Sequence, residues 1–176
     1  MKSVMPIPFL RLWLGSTASG LATWALPFVL GLAAVEALMS SAGLGTTLAV
    51  RTVGFLIAVP FGGILSDRTG SRNVILLCGL LRFLSIPLMV FGLFASSLVG
   101  TVGLIVGAAA VGMGQGACRP AYQAIVPAMV PDGRPQSANA AMSISVRITS
   151  LAGPALISFV AMSFGTGAAM AAISFL

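Results

Sequence analysis

Long runs of uncharged, apolar residues divide the chain and limit what it can fold into. The first run, residues 12–35, holds 24 residues without a charge. About 20 apolar residues span the hydrocarbon core of a bilayer as a helix, and similar runs follow between short polar interruptions. Because a backbone inside lipid must satisfy its own hydrogen bonds, these runs predict transmembrane helices. The expected fold class is therefore all-α and integral to the membrane.

The interruptions set the predicted helix boundaries. The predicted helices span residues 12–35, 43–65, 74–95, 98–118, 140–162 and 168–176. A cleaved signal peptide is the alternative for the first run, but its apolar core would normally hold only about 7 to 15 residues. The last run would rise about 13.5 Å as a helix, less than half of a core of about 30 Å. Residues 1–176 are therefore expected to form five complete transmembrane helices and a truncated sixth.

Composition excludes several classes of function. The chain is 58% hydrophobic and 7% charged, whereas soluble domains carry about 25% charged residues. Its net charge of +6 comes from basic residues scattered singly, without the clustered patch of a nucleic-acid-binding protein. There is no histidine, and Cys78 and Cys118 both lie within apolar runs. We therefore expect no nucleic-acid partner, no metal, no cofactor and no enzymatic activity.

Basic residues near the predicted helix ends are distributed unevenly between the two sides of the membrane. The turns at 36–41, 96–97 and 164–167 hold none. The other side collects Lys2, Arg11, Arg68, Arg72, Arg119 and Arg134. Basic residues concentrate on the cytoplasmic side of membrane proteins. The N-terminus and the loops 66–73 and 119–138 are therefore expected in the cytoplasm, in a multi-pass protein of the cell membrane, plasma or inner.

The segment 62–73 is the longest polar interruption in the first half of the chain. Its candidate gate residues are Gly63, Asp67, Arg68, Gly70 and Arg72. Gly70 suits a backbone with positive φ, and Gly63 suits the close approach of a neighbouring helix. A solvated hairpin whose arginines set topology is one interpretation. It leaves Asp67 unexplained, because acids contribute little to topology. A polar latch on the cytoplasmic side is the other interpretation, and the residues alone leave both open.

Two arginines lie deep within predicted helices. Arg82 lies nine residues past Asn73, about 13.5 Å along a helix, and Arg51 falls in the outer half of its helix. Such residues normally face a bundle interior or an aqueous cavity, and neither has an acid in its own helix. We assign both to the substrate pathway or to coupling, where they would suit an anionic group. A structural bond to backbone carbonyls is the alternative for each.

Two polar stripes follow helical spacing. The stripe on the first helix comprises Ser16, Gly20, Thr23, Pro27 and Gly31. The stripe on the fifth comprises Asn139, Ser143, Arg147, Ser150, Pro154 and Ser158. Such stripes are expected to face protein or water rather than lipid, so we assign Ser143, Arg147 and Ser150 to the substrate pathway. Gly153 and Pro154 interrupt the fifth helix and predict a hinge.

These motifs resemble those of a known transporter family. The glycines and charges of segment 63–72 are similar to the loop between helices 2 and 3 of the major facilitator superfamily. Arg119-Pro120-Ala121, the run 137–140 and Gly153-Pro154 resemble its multidrug and siderophore exporter branch, including enterobactin-exporter-like permeases. Gly112 stands where that branch has an arginine in helix 4, so no coupling role is carried over to position 112.

The resemblance implies the N-terminal half of a permease with two six-helix halves, whose partners are the lipid bilayer, a small-molecule substrate and the missing C-terminal half. It implies alternating access, with the loop 66–73 as cytoplasmic gate. The expected activity is secondary active export of a small hydrophobic or siderophore- or drug-like compound. The alternatives are a non-transporting membrane scaffold that uses the glycine faces of the fourth helix, or a degraded half-transporter.

Overall fold

The computed structural model describes residues 6–95, 97–130 and 135–174, and within these ranges the chain is helical without a β-strand. Six helices follow one another along the chain. They are α1 (Ile7–Val35), α2 (Ser41–Thr69), α3 (Ser71–Phe94), α4 (Leu98–Met129), α5 (Pro135–Phe164) and α6 (Thr166–Ser174). The predicted all-α fold is confirmed. Lys2 and Arg134, which entered the prediction of orientation, and the last two residues of the predicted sixth helix lie outside the described residues.

Five of the helices, α1 to α5, are long and apolar enough to cross a bilayer. The nine residues of α6 rise about 13.5 Å, less than a hydrocarbon core of about 30 Å. Many large apolar side chains are exposed on the bundle, among them Phe61, Leu151 and Phe159. Lipid chains are the surroundings in which such an exposed surface is stable, so the chain is a multi-pass membrane protein.

The helices are longer than the sequence predicted, and the connections between them are shorter. Gly70 alone separates α2 from α3, so the predicted loop 66–73 is helical on both sides of this glycine. Most of the predicted loop 119–138 is helical as well. Charged residues mark the edge of the hydrocarbon, not the end of a helix. The 29 residues of α2 span about 43.5 Å, which matches a bilayer of about 40–45 Å with its headgroups.

Proline does not end the helices where the sequence predicted. The fourth helix was predicted to end at residue 118, just before Pro120, but α4 continues past Pro120 and past Pro127. A proline inside a helix removes one backbone hydrogen bond. Transmembrane helices tolerate this loss because neighbouring helices, polar side chains and local adjustments satisfy the freed carbonyl. Two serines begin helices instead: Oγ of Ser40 accepts from the N–H of Gly43 at 3.0 Å, and Ser97 caps α4 in the same way.

Small residues determine how the helices pack. α4 lies between α2 and α3, α1 packs mainly against α5, and α6 contacts α1, α3 and α5. The buried face of α2 has a small residue at every fourth position: Gly54, Ala58, Gly62 and Ser66. On α4, a Cβ added at Gly112 or Gly116 would collide with backbone carbonyl oxygens of α2. Helices in lipid associate through such close backbone packing, because lipid provides no hydrophobic driving force between them.

Gly63 does not take part in this packing, contrary to the prediction. A Cβ added at Gly63 would meet no atom within 4 Å, whereas one at Gly62 would collide with the backbone of Ala117 on α4. The close approach therefore occurs one residue earlier. One residue turns the side-chain direction by about 100°, so only one of two adjacent glycines faces the neighbouring helix. The sequence alone does not indicate which one.

Candidate functional site

A cleft of about 220 Å³ opens between α1, α2 and α4. Its walls combine two aromatic rings, two hydroxyl groups, a proline, an amide and a guanidinium. The residues are Thr23, Trp24 and Pro27 of α1, Arg51, Thr52 and Phe55 of α2, and Gln115 of α4. Sites for small molecules have this character, with mainly apolar walls and a few polar groups that fix the orientation of the ligand.

Arg51 is held at the cleft by its neighbours on α4 and α1. Its Nη2 donates to Oε1 of Gln115 at 2.9 Å and to the carbonyl oxygen of Thr23 at 3.3 Å. The backbone contact between Gly112 and Arg51 brings the two helices close together. Gln115 lies three residues beyond Gly112 and so on the same side of α4. The buried Nε of Arg51 has no acceptor among the residues that the structure describes.

Arg82 reaches from α3 to the same part of α1. Its Nη1 donates to the hydroxyl of Ser19. Its Nη2 donates to the carbonyl oxygen of Ser19 at 2.8 Å and to Oγ1 of Thr23 at 3.1 Å. The aliphatic part of the side chain lies against Gly114 of α4. Arg82 therefore connects α3 with α1 and α4, and its buried Nε also lacks an acceptor in the described part of the chain.

Thr23 is the point at which the two arginines meet. Its carbonyl oxygen accepts from Arg51, and its hydroxyl accepts from Arg82. The Thr23 hydroxyl in turn donates to the carbonyl oxygen of Ser19, one helical turn earlier, at 2.8 Å. We call Ser19, Thr23, Arg51, Arg82 and Gln115 the two-arginine cluster. The sequence placed Thr23 in a polar stripe and did not single out Ser19, because the spacing along one helix does not identify a partner on another.

The two-arginine cluster carries two positive charges, and within the described residues no acid neutralises them. Glu36 follows the end of α1, Asp67 lies near the end of α2, and both are exposed. The third acid of the sequence, Asp132, lies outside the described residues. An arginine at the centre of a transmembrane helix costs about 2.5–3.5 kcal/mol on insertion scales. Hydroxyl, amide and carbonyl oxygens provide acceptors for these donors but no counter-charge.

The predicted pathway residues of α5 do not join this cluster. Ser143 and Arg147 are exposed and Ser150 is half-buried. The hydroxyls of Ser143 and Ser150 donate to carbonyls of their own helix, each at 2.9 Å. The face of α5 that packs against α1 carries Ser145 and Thr149 instead, and both are buried. Oγ of Ser145 lies 2.7 Å from a threonine hydroxyl of α1, a contact that the sequence did not indicate.

Gly153 lies against the part of α1 that forms the cleft wall. A Cβ added there would lie 3.1 Å from the carbonyl oxygen of Leu21 and 3.2 Å from Cβ of Trp24. The adjacent Pro154 lies inside α5, which continues to Phe164. The predicted hinge residues therefore lie in an unbroken helix, beside a tight contact with α1.

The charged residues of the predicted gate lie at the turn between α2 and α3. Asp67, Arg68 and Arg72 are all exposed, and none of the three forms an ion pair with another described residue. Arg68 also borders an apolar groove of about 460 Å³ between α2, α3 and α4. This arrangement leaves the Asp67 carboxylate accessible to a basic group or a helix N-terminus on another surface.

One glycine and two serines shape the turn between α2 and α3. Gly70 has a φ of +86°, which confirms the positive φ expected there. The hydroxyls of Ser66 and Ser71 lie 2.7 Å apart, on either side of the glycine. The sequence pattern did not reveal this contact across the turn.

Comparison with known families agrees with this architecture. The sequence profile of the Major Facilitator Superfamily matches residues 12–176. Comparison with curated proteins and with solved structures gives no match. The all-helical bundle with five bilayer-spanning helices is consistent with half of a bundle of this superfamily. Because the profile covers nearly the whole sequence, the chain belongs to the Major Facilitator Superfamily and is a transporter-type membrane permease.

Proposed function

We propose that this permease exports a small hydrophobic, siderophore-like or drug-like compound by alternating access, as a secondary active transporter of the cell membrane. The cleft between α1, α2 and α4 is the observation that carries the proposal. It combines the rings of Trp24 and Phe55 with the polar groups of Arg51 and Gln115. An amphipathic compound needs both kinds of contact.

The depth of the cleft supports a role in transport. Thr23 lies 16 residues past Ile7, about 24 Å along α1. Arg51 lies 10 residues past Ser41, about 15 Å along α2, which runs in the opposite direction. Both residues therefore lie well inside a bilayer of about 40–45 Å. Secondary transporters bind their substrates near the midplane, where the site is reached from either side in turn.

The exposed face of α5 supports a second half of the bundle. Ser143 and Arg147 are exposed on this face and Ser150 is half-buried, and a charged side chain such as that of Arg147 is costly next to lipid chains. In the proposed permease this face packs against, or lines a path beside, a C-terminal six-helix half. Gly153 and Pro154 lie on the same helix and would let it bend during the exchange between conformations.

The turn between α2 and α3 serves as the cytoplasmic gate in this proposal. Its Gly63, Asp67, Arg68, Gly70 and Arg72 match the family loop. Asp67 is exposed and unpaired within the described residues, so it is available to a partner in one conformation and free in the other. The basic residues Arg11, Arg68, Arg72 and Arg119 all lie on this side, which supports a cytoplasmic location for the turn and for the N-terminus.

The cargo and the direction are proposed from the resemblance of Arg119-Pro120 and Gly153-Pro154 to the multidrug and siderophore exporter branch.

The scaffold alternative has no comparable support. It needs the glycine faces of α4 to be free for a partner. In the bundle, Gly112 and Gly116 are already in contact with α2, and Gly107 with Ser85 and Met89 of α3.

The proposal is tested with the complete gene product in energised, everted membrane vesicles. The probes are rhodamine 6G and ethidium as drug-like compounds, and a tris-catechol iron chelator as a siderophore-like compound. We expect at least one probe to accumulate above the level of vesicles without the protein. Asp67→Asn should lower the initial rate about tenfold, or about 1.4 kcal/mol in activation free energy, because the amide removes the charge of the gate.

Matched controls separate transport from expression. Asn73→Ala changes a polar residue at the same turn whose amide donates only within the turn, to the Thr69 carbonyl oxygen at 2.8 Å. This variant should transport at the unmodified rate. Accumulation in right-side-out vesicles alone would contradict export. Equal rates for Asp67→Asn and the unmodified protein would contradict the gate, and no accumulation of any probe would contradict the cargo class.

A further inference from the structure

We propose that the two-arginine cluster binds the anionic group of the substrate, so that the cargo is an organic anion bearing a carboxylate, sulfonate or similar oxyanion. The inference rests on the proposed transport function, because it takes the ligand of the cleft to be the cargo. It narrows the cargo to one chemical class, and it assigns the anionic group and the apolar body of the compound to different parts of the cleft.

The first observation is the convergence of two guanidinium groups on one residue. Arg51 of α2 and Arg82 of α3 both donate to Thr23 of α1. They come from different helices, so the polar face of a single helix does not account for their convergence. Three helices meet here to hold two like charges close to each other, an arrangement that is unfavourable unless a negative charge also binds.

The second observation is the absence of that negative charge within the described ranges 6–95, 97–130 and 135–174. All acceptors that the two guanidinium groups find there are neutral: the hydroxyls of Ser19 and Thr23, the backbone carbonyls of the same two residues and the amide of Gln115. Neutral oxygens satisfy donors but leave both charges in place. Arg51 and Arg82 each also retain a buried Nε without an acceptor. Guanidinium groups with free donors favour the two oxygens of an oxyanion, which accept in a bidentate manner.

The third observation is the way the cleft exposes only one of the two arginines. Arg51 lines it, next to Trp24 and Phe55, whereas Arg82 lies behind Thr23. A ligand would therefore contact Arg51 directly and experience Arg82 as a fixed positive charge behind the wall. The rings provide an apolar surface for the body of the compound. The volume of about 220 Å³ is small for a whole drug-sized ligand, so it suits the anionic end with one aromatic ring.

A binding experiment separates the charge of the ligand from its shape. The complete gene product is placed in phosphatidylcholine nanodiscs, and tryptophan fluorescence is followed while benzoate, benzenesulfonate or the neutral benzamide is added. Trp24 lies in the cleft, and Trp24→Phe identifies its contribution to the signal. We expect saturable binding of the two anions, about tenfold or more tighter than that of benzamide, which corresponds to about 1.4 kcal/mol.

Variants of Arg51 test whether the cluster is the source of this preference. Arg51→Gln should weaken the binding of benzoate about tenfold or more and leave benzamide unchanged, so that the two bind alike. Arg51→Lys keeps the charge but loses the fork of donors, and its affinity for benzoate should lie between those of the unmodified protein and the Gln variant. Arg119→Gln, which removes an exposed arginine of α4 outside the cleft, is the control and should bind benzoate normally.

Equal affinity for benzoate and benzamide in the unmodified protein would overturn the inference, as would benzoate binding that Arg51→Gln does not weaken. A flat titration with all three probes would overturn it as well. These outcomes are distinct from failure of the proposed function. In one such outcome, vesicles accumulate rhodamine 6G or ethidium, which are cations, while the nanodiscs show no preference for anions. That result would support the proposed export and contradict the proposal that the cargo is an anion.

Discussion

Arginine side chains have opposite surroundings at the turn between α2 and α3 and in the two-arginine cluster. At the turn, Arg68 and Arg72 are exposed and need only water or headgroups as partners. In the cluster, Arg51 and Arg82 make five hydrogen bonds to residues of α1 and α4. A charge inside the bundle must be satisfied by the protein, so it fixes the helices around it. A charge at the turn is free to change partners, which suits a gate.

Glycine shows the same contrast. Gly63, near the turn, has no neighbour that a Cβ would meet, whereas Gly112 lies against the carbonyl oxygen of Arg51. The contact at Gly112 is also what allows Arg51 to reach Gln115. A side chain at position 112 would collide with α2, so the close contact that places Arg51 beside Gln115 requires a glycine there.

The largest expected effect comes from filling the contact at Gly112. Gly112→Leu should lower the free energy of unfolding by about 3 kcal/mol, because the side chain forces α4 away from α2. The matched control Gly63→Leu should change it by less than about 0.5 kcal/mol, since a Cβ at position 63 would meet no atom within 4 Å. Titration of the purified protein with SDS in mixed micelles measures both. Similar losses for the two variants would contradict the helix packing described here.

A smaller loss of stability is expected from removing the Arg82 side chain, which donates hydrogen bonds from α3 to α1. Arg82→Ala should lower the free energy of unfolding by about 2 kcal/mol, because it removes three hydrogen bonds at about 0.6 kcal/mol each together with the packing of its stem. Arg72→Ala at the turn should stay within about 0.5 kcal/mol. The same SDS titration measures both variants.

The free energy of unfolding of Arg82→Ala reflects two opposing contributions. Loss of the hydrogen bonds destabilises the bundle, whereas relief of the repulsion between Arg82 and Arg51 stabilises it. An unchanged or raised free energy of unfolding would mean that the unneutralised charge costs as much as the bonds contribute. The cluster would then be a functional site maintained at the expense of stability, and not the connection between helices described above.

Much of the fold could be predicted from the sequence, because the free energy of transfer into lipid depends on local composition. The number, order and class of the helices follow from the apolar runs. The helix ends could not be predicted as well, since charges mark the membrane surface while the backbone continues beyond it. Pro120 shows the limit of a local rule: it predicts a helix end in water, but in this bundle α4 continues to Met129.

The candidate site was predictable only in part. Arg51 and Arg82 stand out in the sequence because a charge in an apolar run is costly. Their partners do not stand out: Ser19 is 63 residues from Arg82, and Gln115 is 64 residues from Arg51. Such pairs depend on which helices pack together and at what rotation. The same limit applies to α5, where a regular stripe predicted the pathway but the residues that pack against α1 lie on another face.

The smallest effect tests whether the turn is really the less constrained region. Ser71→Ala removes the contact between the hydroxyls of Ser66 and Ser71, and we expect a loss of about 0.5 kcal/mol in the free energy of unfolding, near the average for a side-chain hydrogen bond in a membrane protein. The loss stays small because the Ser66 hydroxyl can bond to a carbonyl of the preceding turn of its own helix instead. Ser143→Ala, an exposed serine on α5, is the control and should have no measurable effect.

A loss for Ser71→Ala near that of Arg82→Ala would mean that the turn is held as firmly as the two-arginine cluster. The charges beside it would then be fixed in place, and a gate that exchanges partners would have to lie elsewhere in the molecule.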